Sequence, residues 1–150
     1  MLPEYGRPCA KMFPLGEVIH VNPANAPDLV LFEFDGAGGY ATLSEIGDAS
    51  AEDENIAAIG FPSNENVTGY NLKLAIRRVF RNQFGVKRIS PGKTCGPGGQ
   101  GGLHDCSTLG GSSVSAIVSL KTGKLVAIHA WRGIPNSAVT GANVRRLMER

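Results

Sequence analysis

Two apolar segments joined by a short turn place the strongest constraint on the fold. They are residues 115–120 and 125–130, and Lys121-Thr-Gly-Lys124 lies between them. Both segments are rich in β-branched and aliphatic residues, and a glycine in a short connection suits the tight turn between antiparallel strands. The pattern predicts a β-hairpin in the C-terminal third of the chain.

Strand-like segments also occur earlier, at residues 17–21, 29–34 and 55–61. Each is rich in β-branched or aromatic residues and ends at proline or glycine. With 20 glycines and 9 prolines in 150 residues, this indicates many short strands. The length fits one domain, and short strands of this kind form a barrel or a sandwich.

Two segments have a helical period instead. In residues 71–81 the apolar side chains recur at i, i+3, i+4, i+7 and i+8, which predicts an amphipathic helix that Asn71 would cap. Residues 142–150 predict a short C-terminal helix. Three arginines lie off the apolar stripe of the first helix, and we interpret them as its solvated face: Arg77, Arg78 and Arg81.

Composition excludes several classes of protein. An apolar content of 42% is too high for a disordered chain, and no uncharged apolar run is long enough to span a membrane. The 15 basic and 13 acidic residues are too balanced to indicate a nucleic-acid partner or an anionic membrane surface. The first residues lack the pattern of a secretory signal, so the sequence leaves the compartment open.

The segment Thr108-Leu-Gly-Gly-Ser-Ser-Val-Ser-Ala116 carries the chemistry. Glycine permits positive φ angles that turn backbone N–H groups toward a common point. Two such groups beside a serine hydroxyl would form an oxyanion hole. Because Gly-Gly-Ser-Ser is also ordinary loop composition, this stretch alone does not decide between a catalytic loop and a plain one.

A longer stretch of sequence around this segment favours the catalytic interpretation. Residues 104–131 closely resemble the nucleophile region of trypsin-like serine peptidases, in particular the bacterial glutamyl-endopeptidase-like branch, with strand, Lys-Thr-Gly turn and strand in the same order. The segment from Ile19 to Leu31 resembles the part of that family that carries the catalytic aspartate, and Ile59-Gly-Phe-Pro62 resembles a further strand. The similarity covers roughly residues 17–148.

The resemblance implies a role for individual residues. Ser113 would be the nucleophile, and the N–H groups of Gly111 and Ser113 would form the oxyanion hole. Asp28 would orient the catalytic histidine. Thr108 and His129 would line the pocket for the side chain before the cleaved bond, where the glutamyl branch binds an acidic residue.

The resemblance also implies a two-barrel fold of which this chain holds only the C-terminal portion. About residues 1–35 would be a remnant of the first barrel, and about residues 36–150 the second barrel. The catalytic histidine of the family is missing, since neither His20 nor His104 matches its position. A second departure is Val114, a stiff β-branched residue where the family has glycine.

The three cysteines leave alternatives open. Cys95 and Cys106 flank a glycine-rich loop, so either a disulfide joins them across a hairpin or both are reduced, and Cys9 has no evident partner. The spacing of cysteines and histidines does not suggest a metal site. We expect no metal and no other cofactor.

The expected function is therefore a serine endopeptidase domain that acts on peptide or protein substrates, inactive as this chain alone. The alternative is a pseudo-peptidase that binds a peptide or protein in the old cleft without cleaving it. A nucleic-acid-binding barrel that uses the basic residues of the first helix is a weaker third alternative. Partners would include a missing N-terminal barrel, but no nucleic acid and no membrane. The family's habit would suggest a secreted or periplasmic protein.

Overall fold

The computed structural model describes residues 15–34, 45–48, 52–65, 67–98 and 101–149. Within these ranges the chain forms eight strands and two short helices. In chain order they are β1 (Leu15–Val21), β2 (Val30–Phe34), β3 (Asn55–Gly60), α1 (Tyr70–Phe80), β4 (Arg88–Gly98), β5 (Gly101–His104), β6 (Ala116–Ser119), β7 (Leu125–Trp131), β8 (Asn136–Thr140) and α2 (Gly141–Met148).

Six of the strands form a closed barrel in the order β3-β4-β5-β8-β7-β6. All neighbours are antiparallel, and β3 closes the barrel by pairing with both β4 and β6. Closure gives each of these six strands a neighbour on both sides. The prediction of a mostly β fold with one internal and one C-terminal helix is confirmed, and the barrel is consistent with a chymotrypsin-like barrel.

The predicted hairpin is β6–β7, and its turn is held by a buried serine. Ser119 donates its N–H to Lys124 O (3.0 Å) and accepts the N–H of Gly123 on its carbonyl (2.8 Å). Its hydroxyl oxygen also accepts the N–H groups of Lys121 and Thr122. Gly123 has a φ of 71° with no atom within 4 Å of a built Cβ, so the turn needs glycine for its backbone angle alone.

Two clusters of buried side chains hold these elements together. The first lies within the barrel: Ile56, Ala58, Cys106, Ile117, Val126, Ala127 and Ala138. The second joins Leu29, which precedes β2, to Val139 on β8 and to Val144 and Leu147 on α2. The second cluster therefore attaches the separate β1–β2 hairpin to the C-terminal helix.

Both predicted helices are confirmed, but the cap proposed for the first is wrong. Helix α1 begins at Tyr70, and Gly69 occupies the N-cap position without a side-chain hydrogen bond. Asn71 is therefore already inside the helix. In α2, by contrast, the hydroxyl of Thr140 accepts the N–H of Asn143. Residue 150 and the first 14 residues, including Cys9, lie outside the described residues.

The disulfide alternative for Cys95 and Cys106 is wrong, because both cysteines are free. Thr94 pairs with His104, and Asp105 N donates to Lys93 O. Continued by one residue, this register places Cys106 opposite Gly92, three positions from Cys95. Three positions along a strand span about 10 Å and put two side chains on opposite faces. The thiols therefore cannot meet.

Among the described residues, no helix is long and apolar enough to cross a membrane. Nor do these residues contain a group of three or more His, Cys, Asp or Glu side chains that could hold a metal ion.

Candidate active site

The loop between β5 and β6 presents Ser113 at the surface. Ser113 is exposed, while its neighbours Ser112 and Ser115 are 5% and 4% exposed. The hydroxyl of Ser112 accepts the N–H of Leu109 (3.2 Å), which closes the loop on itself. Burial of the two flanking serines therefore directs Ser113 outward.

In this loop all but two of the backbone N–H groups from residue 109 to residue 115 donate a hydrogen bond to a described residue. From residue 109 to residue 115, the described part of the chain provides no acceptor for the N–H of Gly111 or of Ser113. The other five N–H groups all donate hydrogen bonds, namely those of Leu109, Gly110, Ser112, Val114 and Ser115. The two unpaired groups flank Ser112 and are the pair that an oxyanion hole beside Ser113 would use.

Gly111 takes a conformation that favours glycine. Its φ is 80°, and a Cβ built there would lie 2.7 Å from the carbonyl oxygen of Phe61. Positive φ is strained for a residue with a side chain, and this contact is closer than real Cβ atoms show. Glycine at position 111 is thus favoured by close backbone packing as well as by the backbone angle.

The segment that follows β3 supports the loop from one side. Both the N–H and the hydroxyl of Ser63 donate to Gly110 O, at 2.7 Å each. The carboxylate of Glu65 accepts the N–H of Gly110 and forms an ion pair with Arg132, which follows β7. The segment after β3 therefore bonds to Gly110 directly, and Arg132 is linked to it through Glu65.

Strand β7 holds the other side of the loop. Val114 N donates to His129 O and His129 N donates to Ser115 O, both at 2.9 Å. Val114 itself has a φ of 66° and is 78% exposed. A β-branched residue is unfavourable at such an angle, so the residue after Ser113 is strained.

His129 and His104 form a buried pair. Both are 2% exposed, and His104 Nε2 lies 3.0 Å from His129 Nδ1 with the rings nearly perpendicular at 77°. Burial, with a smaller contribution from His129, lowers the pKa of His104 to about 4. Burial also lowers the pKa of His129. Both rings are therefore neutral at pH 7.

A cleft of about 540 Å³ lies beside the loop, between α1 and the segments that follow β5 and β7. Thr108 lines this cleft, and its hydroxyl donates to Asn136 Oδ1 at 2.9 Å. His129 is not among the residues that line it. One wall is the apolar stripe of α1, where Leu72 and Val79 are 51% and 58% exposed. The structure thus does not bring Thr108 and His129 together in one wall.

Asp28 lies in the connection between β1 and β2, and it is exposed. Its carboxylate makes no hydrogen bond or ion pair with a described residue. The next residue, Leu29, packs in the cluster that includes α2, and Ala130, which follows His129, packs against that same cluster. The packing of Leu29 therefore holds Asp28 near the cluster against which the C-terminal end of β7 packs.

None of the three histidines of the chain bonds to Ser113 or to Asp28. His20 Nε2 lies 3.1 Å from Asn22 Oδ1, and the other two histidines bond to each other. Ser113 therefore has no imidazole base within the described residues.

Sequence reasoning missed the residues that support the loop. Glu65 bonds to the loop from 45 residues before Gly110, and Arg132, which lies beyond the hairpin, pairs with Glu65. No local pattern signals such contacts. His104 carried a weak signal, since it lies directly before the loop.

No protein-family model matches the chain. The chain is similar to a protein of Lysobacter enzymogenes named "Probable serine protease", with 34% identity over 76 residues. The match covers 43% of this chain and 20% of that protein, so this chain corresponds to a small part of its relative. The similarity supports a relationship to serine proteases.

Proposed function

We propose that this chain is the C-terminal portion of a trypsin-like serine endopeptidase domain, with Ser113 as the nucleophile. The observation that carries the proposal is the pair of unpaired N–H groups at Gly111 and Ser113 beside an exposed serine. A carbonyl oxygen between them would accept two hydrogen bonds as negative charge develops on it. The relationship to a serine protease supports the same chemistry.

In the proposed reaction Ser113 Oγ attacks a peptide carbonyl and forms an acyl-enzyme. A general base takes the hydroxyl proton and then gives it to the leaving amine, and water releases the acyl group. Since the three histidines are engaged elsewhere, the base would come from a missing N-terminal barrel. Asp28 would orient that base.

We therefore propose that this chain alone does not turn over peptides. Loss of one triad member leaves only about 10³–10⁴-fold of catalysis over water, from binding and the oxyanion hole. The finer assignment of a pocket for an acidic side chain uses Thr108 and His129. Such a pocket would require a rearrangement that frees the Thr108 hydroxyl from Asn136 Oδ1 and exposes the buried ring of His129 beside it.

Chemical replacement of the base tests the proposal. The full chain would be treated with a fluorophosphonate at pH 8, with and without added imidazole, and the labelled serine located by mass spectrometry. We expect imidazole-dependent labelling of Ser113 well above that of Ser107, an exposed serine that lines the cleft. Equal labelling of the two serines would contradict the proposal.

The matched variants are Gly111→Ala and Gly123→Ala. Both glycines have positive φ, 80° and 71°, but a Cβ at Gly111 meets Phe61 O, whereas a Cβ at Gly123 meets open space. Gly111→Ala should lower the labelling of Ser113 about tenfold or more. Gly123→Ala should leave it unchanged.

The second candidate is a non-catalytic module that binds a peptide or protein in the cleft, and Val114 is the observation that favours it. Its strained backbone and exposed side chain directly follow Ser113, where they would crowd a leaving group. Absence of labelling at Ser113 even with imidazole would favour this module. A peptide-cleavage rate of the unassisted chain that Ser113→Ala abolishes would contradict both the module and the need for a missing base.

A further inference from the structure

The interior of the barrel contains a cavity of about 290 Å³, separate from the cleft that Thr108 lines. Inward-facing side chains normally fill a barrel of this size. Here small residues line much of the wall and leave space: Gly96, Gly101, Gly102, Ala127 and Ala138. An engineered apolar cavity of about 150 Å³ binds benzene, so this cavity has room for a two-ring aromatic molecule.

Most of the remaining wall is apolar, formed by Ile56, Leu103, Ile117 and Val126. The cavity opens toward Glu52 and Pro97, which are both exposed. A carboxylate at the mouth disfavours an anionic ligand. The wall and the mouth together fit a small, neutral, mostly apolar molecule.

Among the polar side chains of the wall, the hydroxyls of Thr94 and Thr140 accept backbone N–H groups, and His104 offers a further hydrogen-bonding position. His104 lines the cavity and is 2% exposed, and its Nδ1 is buried with no hydrogen-bond partner among the described residues. The other ring nitrogen, Nε2, bonds to His129 Nδ1. Buried polar atoms are nearly always paired, so an unpaired ring nitrogen in a cavity wall points to a ligand.

We propose that the barrel interior binds a small, neutral, mostly apolar molecule that donates one hydrogen bond to His104 Nδ1. The direction of that bond fixes the tautomers of the histidine pair. A neutral imidazole has one donor and one acceptor nitrogen, so a donor at His104 Nδ1 makes His104 Nε2 donate to His129 Nδ1. His129 then carries its proton on Nε2.

This direction rests on the proposed function, because His129 would offer an N–H to an acidic substrate side chain only in that tautomer. A ligand that accepts a hydrogen bond from His104 Nδ1 would reverse the direction of the His104–His129 hydrogen bond and leave a lone pair on His129 Nε2. The cavity would thus set which hydrogen-bonding group His129 offers.

Three two-ring probes of similar shape test the proposal on the full chain. Indole donates a hydrogen bond, 1-indanone accepts one, and indene does neither. Binding would be followed by NMR chemical-shift titration with ¹⁵N-labelled histidine. We expect indole to bind about fivefold or more tighter than the other two, the effect of one hydrogen bond, and the ¹⁵N signals to report protons on Nε2 of both rings.

Two variants locate the site. Ala138→Leu fills the cavity and should abolish indole binding, while Ala116→Leu on β6, outside the cavity wall, should leave it unchanged. His104→Phe should remove the preference for indole over indene. Because the probe comparison uses the unmodified chain, an unfolded variant does not prevent the test.

Equal affinities for the three probes, or binding that survives Ala138→Leu, would overturn the proposal. So would tighter binding of 1-indanone, and so would no binding of any probe up to its solubility, which would leave a site for water alone. None of these measurements depends on peptidase activity, so failure here is distinguishable from failure of the proposed function.

Discussion

Replacing Val114 with glycine should stabilise the chain, although most substitutions by glycine destabilise proteins. Val114 has a φ of 66°, in the region that favours glycine, and its branched Cβ crowds the backbone there. Its side chain is 78% exposed. The substitution therefore removes strain while giving up little buried surface.

The expected magnitude follows from two opposing contributions. Relief of the left-handed conformation contributes about 1–2 kcal/mol, with the larger value for a β-branched residue. The greater freedom of glycine in the unfolded chain costs about 0.5–1 kcal/mol. We expect a net gain of about 1 kcal/mol in the free energy of unfolding. For a chain of this length, that gain raises the melting temperature by about 2–4 °C.

Urea denaturation followed by circular dichroism measures the change. The matched control is Val21→Gly on β1, an exposed valine (59%) that is not at positive φ. The control should lose about 0.5–1 kcal/mol. If Val114→Gly destabilises the chain as much as Val21→Gly does, the strain argument is refuted.

Three further predictions concern pH, ion pairing and thiols. The pKa of His104 is lowered from 6.5 to about 4, so the stability contributed by its neutral form is complete above pH 6.5 and is lost as the pH falls toward 4. Denaturation curves should show that the free energy of unfolding falls by up to about 3 kcal/mol over this range. His104→Gln should flatten this pH dependence. Glu65→Ala removes the acceptor of Gly110 N–H and of Arg132, and urea denaturation should show a loss of about 1–2 kcal/mol in the free energy of unfolding. The control Glu45→Ala removes an exposed ion pair with Lys124 and should change that free energy little. Equal effects of the two substitutions would contradict the supporting role of Glu65. Burial raises the pKa of Cys106 to about 11. Iodoacetamide at pH 8 should therefore modify half-buried Cys95 before Cys106, and Cys106 only when the chain unfolds, as peptide mass spectrometry would show. Early modification of Cys106 would contradict its burial.

The elements that sequence predicted are those whose side chains carry a visible period. The β6–β7 hairpin, both helices and the first three strands all have apolar residues at spacings typical of their structure. Strands β4, β5 and β8 lack that signal. Pro91 and Pro97 lie within β4, and glycines make up half of β5. Pairing with distant partners in a closed barrel, rather than propensity, holds these strands.

The apolar stripe of α1 shows a second limit of periodicity. The helix is correctly predicted, but only Phe80 on it is buried. The period identifies which face is apolar, not what covers that face. In this structure Leu72 and Val79 line the cleft beside the loop between β5 and β6 instead of a core.

In the candidate site, too, some features are predictable from local sequence and others are not. Gly111 and Ser113 follow from a local motif, because the glycine conformation and the serine position are properties of adjacent residues. The acceptor for Gly110 N–H does not, since Glu65 reaches it from 45 residues away. The pairing of His104 with His129 also depends on barrel closure, which places β5 and β7 on either side of β8.

The geometry of the loop between β5 and β6 is determined without any contribution from a base. Ser63 and Glu65 hold Gly110 from one side, and the backbone of His129 holds Val114 and Ser115 from the other. None of these contacts involves Asp28, and none requires a histidine side chain. A chain that lacks the base can therefore still present a serine beside two free N–H groups. Under the proposed function, the absent base and the strained backbone at Val114 are thus separable causes of low reactivity. Imidazole repairs the first, and Val114→Gly repairs the second, so labelling of Ser113 under each condition and under both together shows which defect limits its reactivity.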